Sequence, residues 1–166
     1  MKKIITLLAV IGIFSFQSCT TTTDSNYVDN DTISTVFETN QVSFIPDNFK
    51  IRYTFPGTIY SSDVVLVYRL AGTVNGADLW EFLPETYYFA DGTRDFFYNF
   101  NFTNSYVDIY LSGNDLISVP SGNRLNQIFR IVVVPASFAT SLKSTNYNTV
   151  ISALNIKENQ IQKINF

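Results

Sequence analysis

Hydrophobic and polar residues alternate with a period of two over long stretches of the chain after Ile33, as is typical of β-strands that bury one face. Between Phe96 and Phe102 every even-numbered position is aromatic, so four rings share one face of a strand. Segment 106–111 alternates as well, with aliphatic residues at 107, 109 and 111 opposite Tyr106, Asp108 and Tyr110. We expect the aliphatic side of this strand to face the core.

Two further segments are apolar almost throughout, as expected of central strands covered on both faces: 64–70 and 128–134, in which Arg130 is the exception. Additional short strands are predicted at 33–38, 42–45, 49–55, 79–83, 87–90 and 161–166. Gly-containing turns such as Asn75-Gly76 and Asp91-Gly92 separate them. Short strands with regular turns predict an all-β fold, an antiparallel β-sandwich of the immunoglobulin-like or jelly-roll-like kind, over residues 33–166.

One segment near the C-terminus has a helical period. Tyr147, Val150, Ile151 and Leu154 follow the spacing i, i+3, i+4, i+7, which predicts one short C-terminal helix. Ser144 or Thr145 could supply its N-cap, and Asn155 could close its other end. We expect this helix to cover an open end of the sandwich.

The N-terminus has the pattern of a secretory signal peptide. Lys2 and Lys3 precede an uncharged, mostly apolar run from Ile4 to Phe16, which is too short to span a bilayer as a helix. The run ends in Phe16-Gln17-Ser18-Cys19, which resembles the lipobox of bacterial lipoproteins. The resemblance implies a signal peptide at 1–18, a lipidated Cys19 at the mature N-terminus and an outer-membrane location. The alternative is a free Cys19 thiol behind an ordinary signal peptide.

Residues 19–32 comprise this cysteine and a polar stretch predicted to be a flexible tether. Asp31-Thr32-Ile33 resembles the short O-glycosylation acceptor of Bacteroidota, which would make Thr32 a glycosylation site. The residues directly after Cys19 are threonines, Thr20 to Thr23, whereas a surface-export signal has acidic residues at these positions. This favours the periplasmic side, although the cell surface stays open.

Composition excludes several kinds of chemistry. The chain has no His and one Cys, so a Ser-His-Asp triad, a His-ligated metal, a Cys-rich zinc site and an internal disulfide are excluded. Removal of 1–18 takes Lys2 and Lys3 and leaves nine basic and fourteen acidic side chains, a net charge of −5. No basic cluster indicates a nucleic-acid partner, so we expect membrane contact through the lipid alone and neither a metal nor a cofactor.

Three sets of residues could carry function. Tyr106, Asp108 and Tyr110 form the candidate binding surface, because half-exposed rings beside a polar group bind sugars or proteins. Two carboxylate pairs, Glu81 with Glu85 and Asp91 with Asp95, could serve acid catalysis, or Glu85, Asp91 and Asp95 could bind Ca²⁺, but solvated loop groups are the favoured interpretation. Arg130 is interpreted as structural, and we expect a carboxylate partner for it.

The lipobox, the tether and the strands rich in Asn, Thr, Tyr and Phe together resemble small β-rich lipoproteins of Bacteroidota. The resemblance implies a non-enzymatic, membrane-anchored protein that binds or scaffolds an envelope partner. The alternatives are a carbohydrate-binding surface module and, third, a carboxylate-based glycan hydrolase. An exposed strip of Tyr would favour the sugar module, an exposed apolar patch a protein partner, and a cleft with facing carboxylates the hydrolase.

Overall fold

The structure, a computed structural model, describes residues 34–46 and 48–165. The predicted signal peptide, Cys19, the tether and Thr32 lie outside the described residues. Within the described part, the strands are β1 (Thr35–Thr39), β2 (Lys50–Thr54), β3 (Val64–Val74), β4 (Ala77–Phe82), β5 (Glu85–Tyr88), β6 (Arg94–Phe102), β7 (Tyr106–Gly113), β8 (Phe129–Val134) and β9 (Gln162–Ile164).

The strands form two sheets. The first has the order β4-β3-β8-β1-β9, in which β9 pairs parallel to β1 and the other pairs are antiparallel. The second has the order β2-β7-β6-β5 and is antiparallel throughout. The all-β prediction is therefore confirmed at the level of two mainly antiparallel sheets packed as a sandwich.

The main core lies between the two sheets. The period-two pattern directs every second side chain of each strand into this space. Its fully buried members come from both layers, among them Val67, Phe96, Tyr98, Val107 and Ile131. Phe96 and Tyr98 are buried as the alternation predicts, whereas Phe102 at the end of β6 is exposed. The aliphatic residues of β7 face this core, so the other side of β7 faces outward.

A second core covers the outer face of the five-stranded sheet. Three short helices, α1 (Ser121–Arg124), α2 (Ala136–Ser141) and α3 (Tyr147–Ala153), follow β7 in the chain. Tyr147 and Val150 of α3 pack against Tyr68, Trp80 and Val132 in this core. The expectation that the helical segment covers an end of the sandwich was wrong, because its apolar stripe meets a sheet whose outer face is apolar too.

The ends of α3 are set by two asparagines. Asn146, rather than Ser144 or Thr145, is the N-cap, and its side chain accepts a hydrogen bond from the Thr149 N–H at 3.2 Å. Asn155 has φ of 53°, the left-handed conformation that ends helices. Asparagine adopts this conformation more readily than most residues do.

Two segments differ from the predicted strands. Val42 and Ile45 form isolated bridges, to Gln127 and Asn48, instead of belonging to a strand. The hairpin formed by β3 and β4 turns at Asn75-Gly76 and extends beyond the end of the neighbouring strand β8. Every residue from 71 to 79 is exposed. Among the described residues, no helix is both long enough and apolar enough to cross a membrane.

Candidate functional site

Tyr106, Asp108 and Tyr110 lie together on the outer face of the four-stranded sheet. Their positions alternate with Val107, Ile109 and Leu111, which are buried between the sheets. Tyr106 and Tyr110 are half-buried, and no described helix packs over them. The structure therefore brings the three sequence-predicted residues onto one uncovered surface.

Neighbouring strands extend this surface on both sides. From β2, Lys50 lies opposite Tyr110, and Arg52 lies opposite Asp108. From β6, the outward residues are Asp95, Phe97, Asn99 and Asn101, and the last two lie opposite Tyr110 and Asp108. We call this surface, made by Lys50, Arg52, Phe97, Asn99, Asn101, Tyr106, Asp108 and Tyr110, the open face.

An ion pair organises the centre of the open face. Arg52 donates from Nε to Asp108 Oδ1 at 2.6 Å and from Nη2 to Asp108 Oδ2 at 2.7 Å, so both carboxylate oxygens are engaged. The same guanidinium lies 3.6 Å above the Tyr106 ring. Asp108 is 4% exposed although it lies on a solvent-facing sheet, because Arg52 covers it.

The charge state of this pair is fixed at neutral pH. The hydrogen bond from Arg52 lowers the pKa of Asp108, and Lys50 adds a favourable charge; burial opposes the shift but is the weaker effect. The pKa of Arg52 is raised, chiefly by the hydrogen bond to Asp108. Asp108 is therefore an ionised carboxylate that orients Arg52, and it is not a free acid.

Five residues of the open face were missed by the sequence analysis. Phe97, Asn99 and Asn101 have the parity opposite to the buried Phe96 and Tyr98, a signal that was available in the alternation. Lys50 and Arg52 join the site only because β2 pairs with β7, more than fifty residues away in the chain. That pairing has no local signal in the sequence.

Two of the four carboxylates considered for catalysis or calcium binding, Glu85 and Asp91, are held by other groups. Glu85 receives hydrogen bonds from Arg69 Nε at 2.7 Å and Nη2 at 2.8 Å, and Tyr87 donates to it at 2.7 Å. Asp91 accepts from the Thr93 N–H and hydroxyl in the hairpin turn, and these bonds lower its pKa. Among the described residues, no cluster of three or more acidic or cysteine side chains could hold a metal ion.

Arg130 has the carboxylate partner that its burial requires. It is 4% exposed and donates to Glu38 Oε2 at 2.7 Å, to Glu158 and to the Tyr147 hydroxyl. Its guanidinium lies 4.2 Å from the Trp80 ring centroid. This group of residues joins β8, α3 and the turn at 158–160, which fits the structural role expected for Arg130.

Two pockets bear on the hydrolase alternative. A pocket of about 410 Å³ at the edge of the sandwich is lined by Phe37, Phe55 and Tyr60 and has one carboxylate, Asp63, which accepts a hydrogen bond from the Tyr60 N–H. A pocket of about 270 Å³ beside α3 is lined by Asp78 and Glu158. Glu158 is bound to Arg130, so neither pocket presents a pair of free acids.

Comparison of the chain with protein-family models, with curated proteins and with solved structures finds no match. The fold and the open face therefore define the class to which the described domain belongs: a two-sheet β-sandwich with one outer face covered by helices and the other uncovered.

Proposed function

We propose that the protein is a lipid-anchored, non-enzymatic binding protein of the bacterial cell envelope and that the open face contacts its ligand or partner. The observation that carries the proposal is the asymmetry of the two outer faces. The five-stranded sheet buries its outer face under α3, whereas the four-stranded sheet presents rings, amides and a fixed guanidinium to solvent. The packing of the two sheets does not require these outward groups, so they are available to a ligand.

The anchored location rests on the sequence. A lipidated Cys19 would tether the domain to the outer membrane, in keeping with the resemblance to Bacteroidota lipoproteins. Cys19→Ser should release the protein from membranes into the soluble fraction, because one modified residue carries the whole attachment. A variant that stays fully membrane-bound would contradict the anchor.

The non-enzymatic role is supported by the state of the carboxylates. Asp108 and Glu85 are each bound by an arginine through two hydrogen bonds. A general acid needs a raised pKa and a free proton. The pKa of Asp108 is lowered instead.

The binding surface can be tested in cells with a photo-crosslinking amino acid at two exposed positions. Asn101 lies on the open face, and Asn148 of α3 lies on the covered side as a matched control. We expect adducts from position 101 and few from position 148. Adducts from 148 alone, or from neither position, would contradict the proposed surface.

A glycan is the ligand class that the open face favours over a protein. The outward positions of β2, β6 and β7 carry no aliphatic side chain and include Lys50 and Asp108, and lysine and aspartate are depleted in the core of a protein interface. A half-exposed ring beside amides and a guanidinium suits the apolar and polar sides of a sugar. We further propose that the sandwich is immunoglobulin-like or jelly-roll-like, which an experimental structure would test.

A further inference from the structure

Most of the polar groups of the open face that remain available to a ligand are hydrogen-bond donors. Both oxygens of Asp108 are occupied by Arg52. The side-chain oxygen of Asn99 accepts the Phe100 N–H at 2.8 Å, so its amino group is the part left over. The Lys50 ammonium and the Arg52 guanidinium, whose side chains are 47% and 46% exposed, can only donate. A ligand rich in acceptors complements this surface.

The charge balance of the open face is positive. Arg52 and Asp108 neutralise each other at 2.6 Å, whereas Lys50 Nζ is 3.5 Å from the same carboxylate, at the limit of a hydrogen bond. Among the eight residues of the open face one cation is therefore left uncompensated, in a chain whose mature net charge is −5. Beside Phe97, the Arg94 guanidinium, 4.8 Å from the ring centroid, adds a positive charge next to the outward Asp95, so the balance stays positive. This local charge complements an anion and not a cation.

Only one of the two tyrosines has a ring available for stacking. Arg52 covers the Tyr106 ring at 3.6 Å, so that ring supports the guanidinium. Tyr110 lies between Lys50 and Asn99 on the neighbouring strands. A sugar ring on Tyr110 would thus have a cation on one side and an amide donor on the other.

Resting on the function proposed above, we propose that the open face binds an acidic glycan. The anionic group of one sugar unit pairs with Lys50 and Arg52, and the sugar ring stacks on Tyr110. The three cations at this surface, Lys50, Arg52 and Arg94, are too few for a nucleic-acid backbone, which needs a clustered basic patch.

The test is a calorimetric titration of the full chain, purified in mild detergent, with a defined oligogalacturonate. The same oligosaccharide with its carboxylates methyl-esterified is the matched ligand, because it keeps the rings and removes the charge. We expect the acid form to bind at least about tenfold more tightly than the ester, the scale of one charge-assisted hydrogen bond. We also expect the binding to weaken as ionic strength rises.

Variants assign the binding to the residues named. Lys50→Gln should weaken binding about tenfold, whereas Lys143→Gln, an exposed lysine between α2 and α3, should leave it unchanged. Tyr110→Ser should abolish binding, and Tyr110→Phe should keep it because the ring remains. Equal binding of acid and ester, or no effect of Lys50→Gln, would overturn the inference.

A sulfated oligosaccharide separates the two sources of anionic groups. Binding of the sulfated probe with the same dependence on Lys50 supports the inference and assigns sulfate instead of carboxylate. If neither anionic probe binds while position 101 crosslinks to a protein in cells, the glycan inference fails and the proposed function stands. If position 101 makes no contact at all, both fail.

Discussion

Tyr68→Phe should stabilise the protein. Tyr68 is fully buried in the second core, where its ring lies 5.4 Å from Phe82 and 5.2 Å from Tyr147, measured between centroids. Its hydroxyl has no hydrogen-bond partner among the described residues, and burial raises the pKa of the phenol. An unsatisfied buried hydroxyl destabilises the folded state by about 1–3 kcal/mol, and Phe removes it while filling the same space.

The expected gain is about 1 kcal/mol in the free energy of unfolding, or an increase in Tm of about 3 °C. Urea denaturation of the full chain measures this free energy. The fluorescence of Trp80, the single tryptophan, reports the unfolding, because Trp80 packs in the same core. Tyr98→Phe is the matched control. Tyr98 is equally buried, but its hydroxyl donates to the Asn123 carbonyl, so this variant should lose about 1 kcal/mol.

The reasoning is refuted if Tyr68→Phe lowers stability as much as Tyr98→Phe does. That result would mean that the Tyr68 hydroxyl is satisfied in the folded protein. The second core would then contain a further buried polar contact besides the hydrogen bond from Arg130 to the Tyr147 hydroxyl, and the description of the Tyr68 hydroxyl as unpartnered would need revision.

Three further predictions concern stability. Burial raises the pKa of Glu38, but hydrogen bonds from Lys163 and Arg130 outweigh it and bring the pKa below its ordinary value of 4.5. The free energy of unfolding should therefore fall as the pH drops below 4.5 and through the folded pKa. Glu38→Gln should reduce this loss in denaturation curves recorded between about pH 5 and 2. Val150→Ala, in the buried stripe of α3, should lose about 2 kcal/mol in urea denaturation, and no loss would mean that α3 does not cover the sheet. In Gly113→Ala the added Cβ would lie 2.8 Å from the Asp95 carbonyl oxygen, so thermal melting should show a loss of about 1–3 kcal/mol, whereas Gly122→Ala, with open space around its Cβ, should be nearly neutral; equal effects would contradict the close packing at Gly113.

The sequence predicted strands well where one face of each is buried. In β6 and β7 the alternation gave both the position and the facing of each residue, because a strand directs successive side chains to opposite sides. It failed at Val42–Ile45, where four residues that resemble a strand make only isolated bridges. Apolar content alone does not supply a partner strand.

The sequence predicted three of the eight residues of the open face. Tyr106, Asp108 and Tyr110 share one strand, so their common face follows from local geometry. Arg52 and Lys50 join the site through the pairing of β2 with β7, and the four strands that separate β2 from β7 in the chain do not reveal that pairing. The position of the helical segment was missed for a related reason, since an apolar stripe indicates burial without saying which surface it meets.

The central claim is that the open face, and not the helix-covered face, is in contact with a ligand in the cell. The most direct measurement is the rate of maleimide labelling of the full chain in intact membranes, with Asn101→Cys or Asn148→Cys. Relative to protein purified in detergent, we expect labelling at position 101 to slow by about tenfold, the effect of a site about nine-tenths occupied, and labelling at position 148 to be unchanged. Equal rates at position 101 in membranes and in detergent, with protection at position 148, would contradict the account.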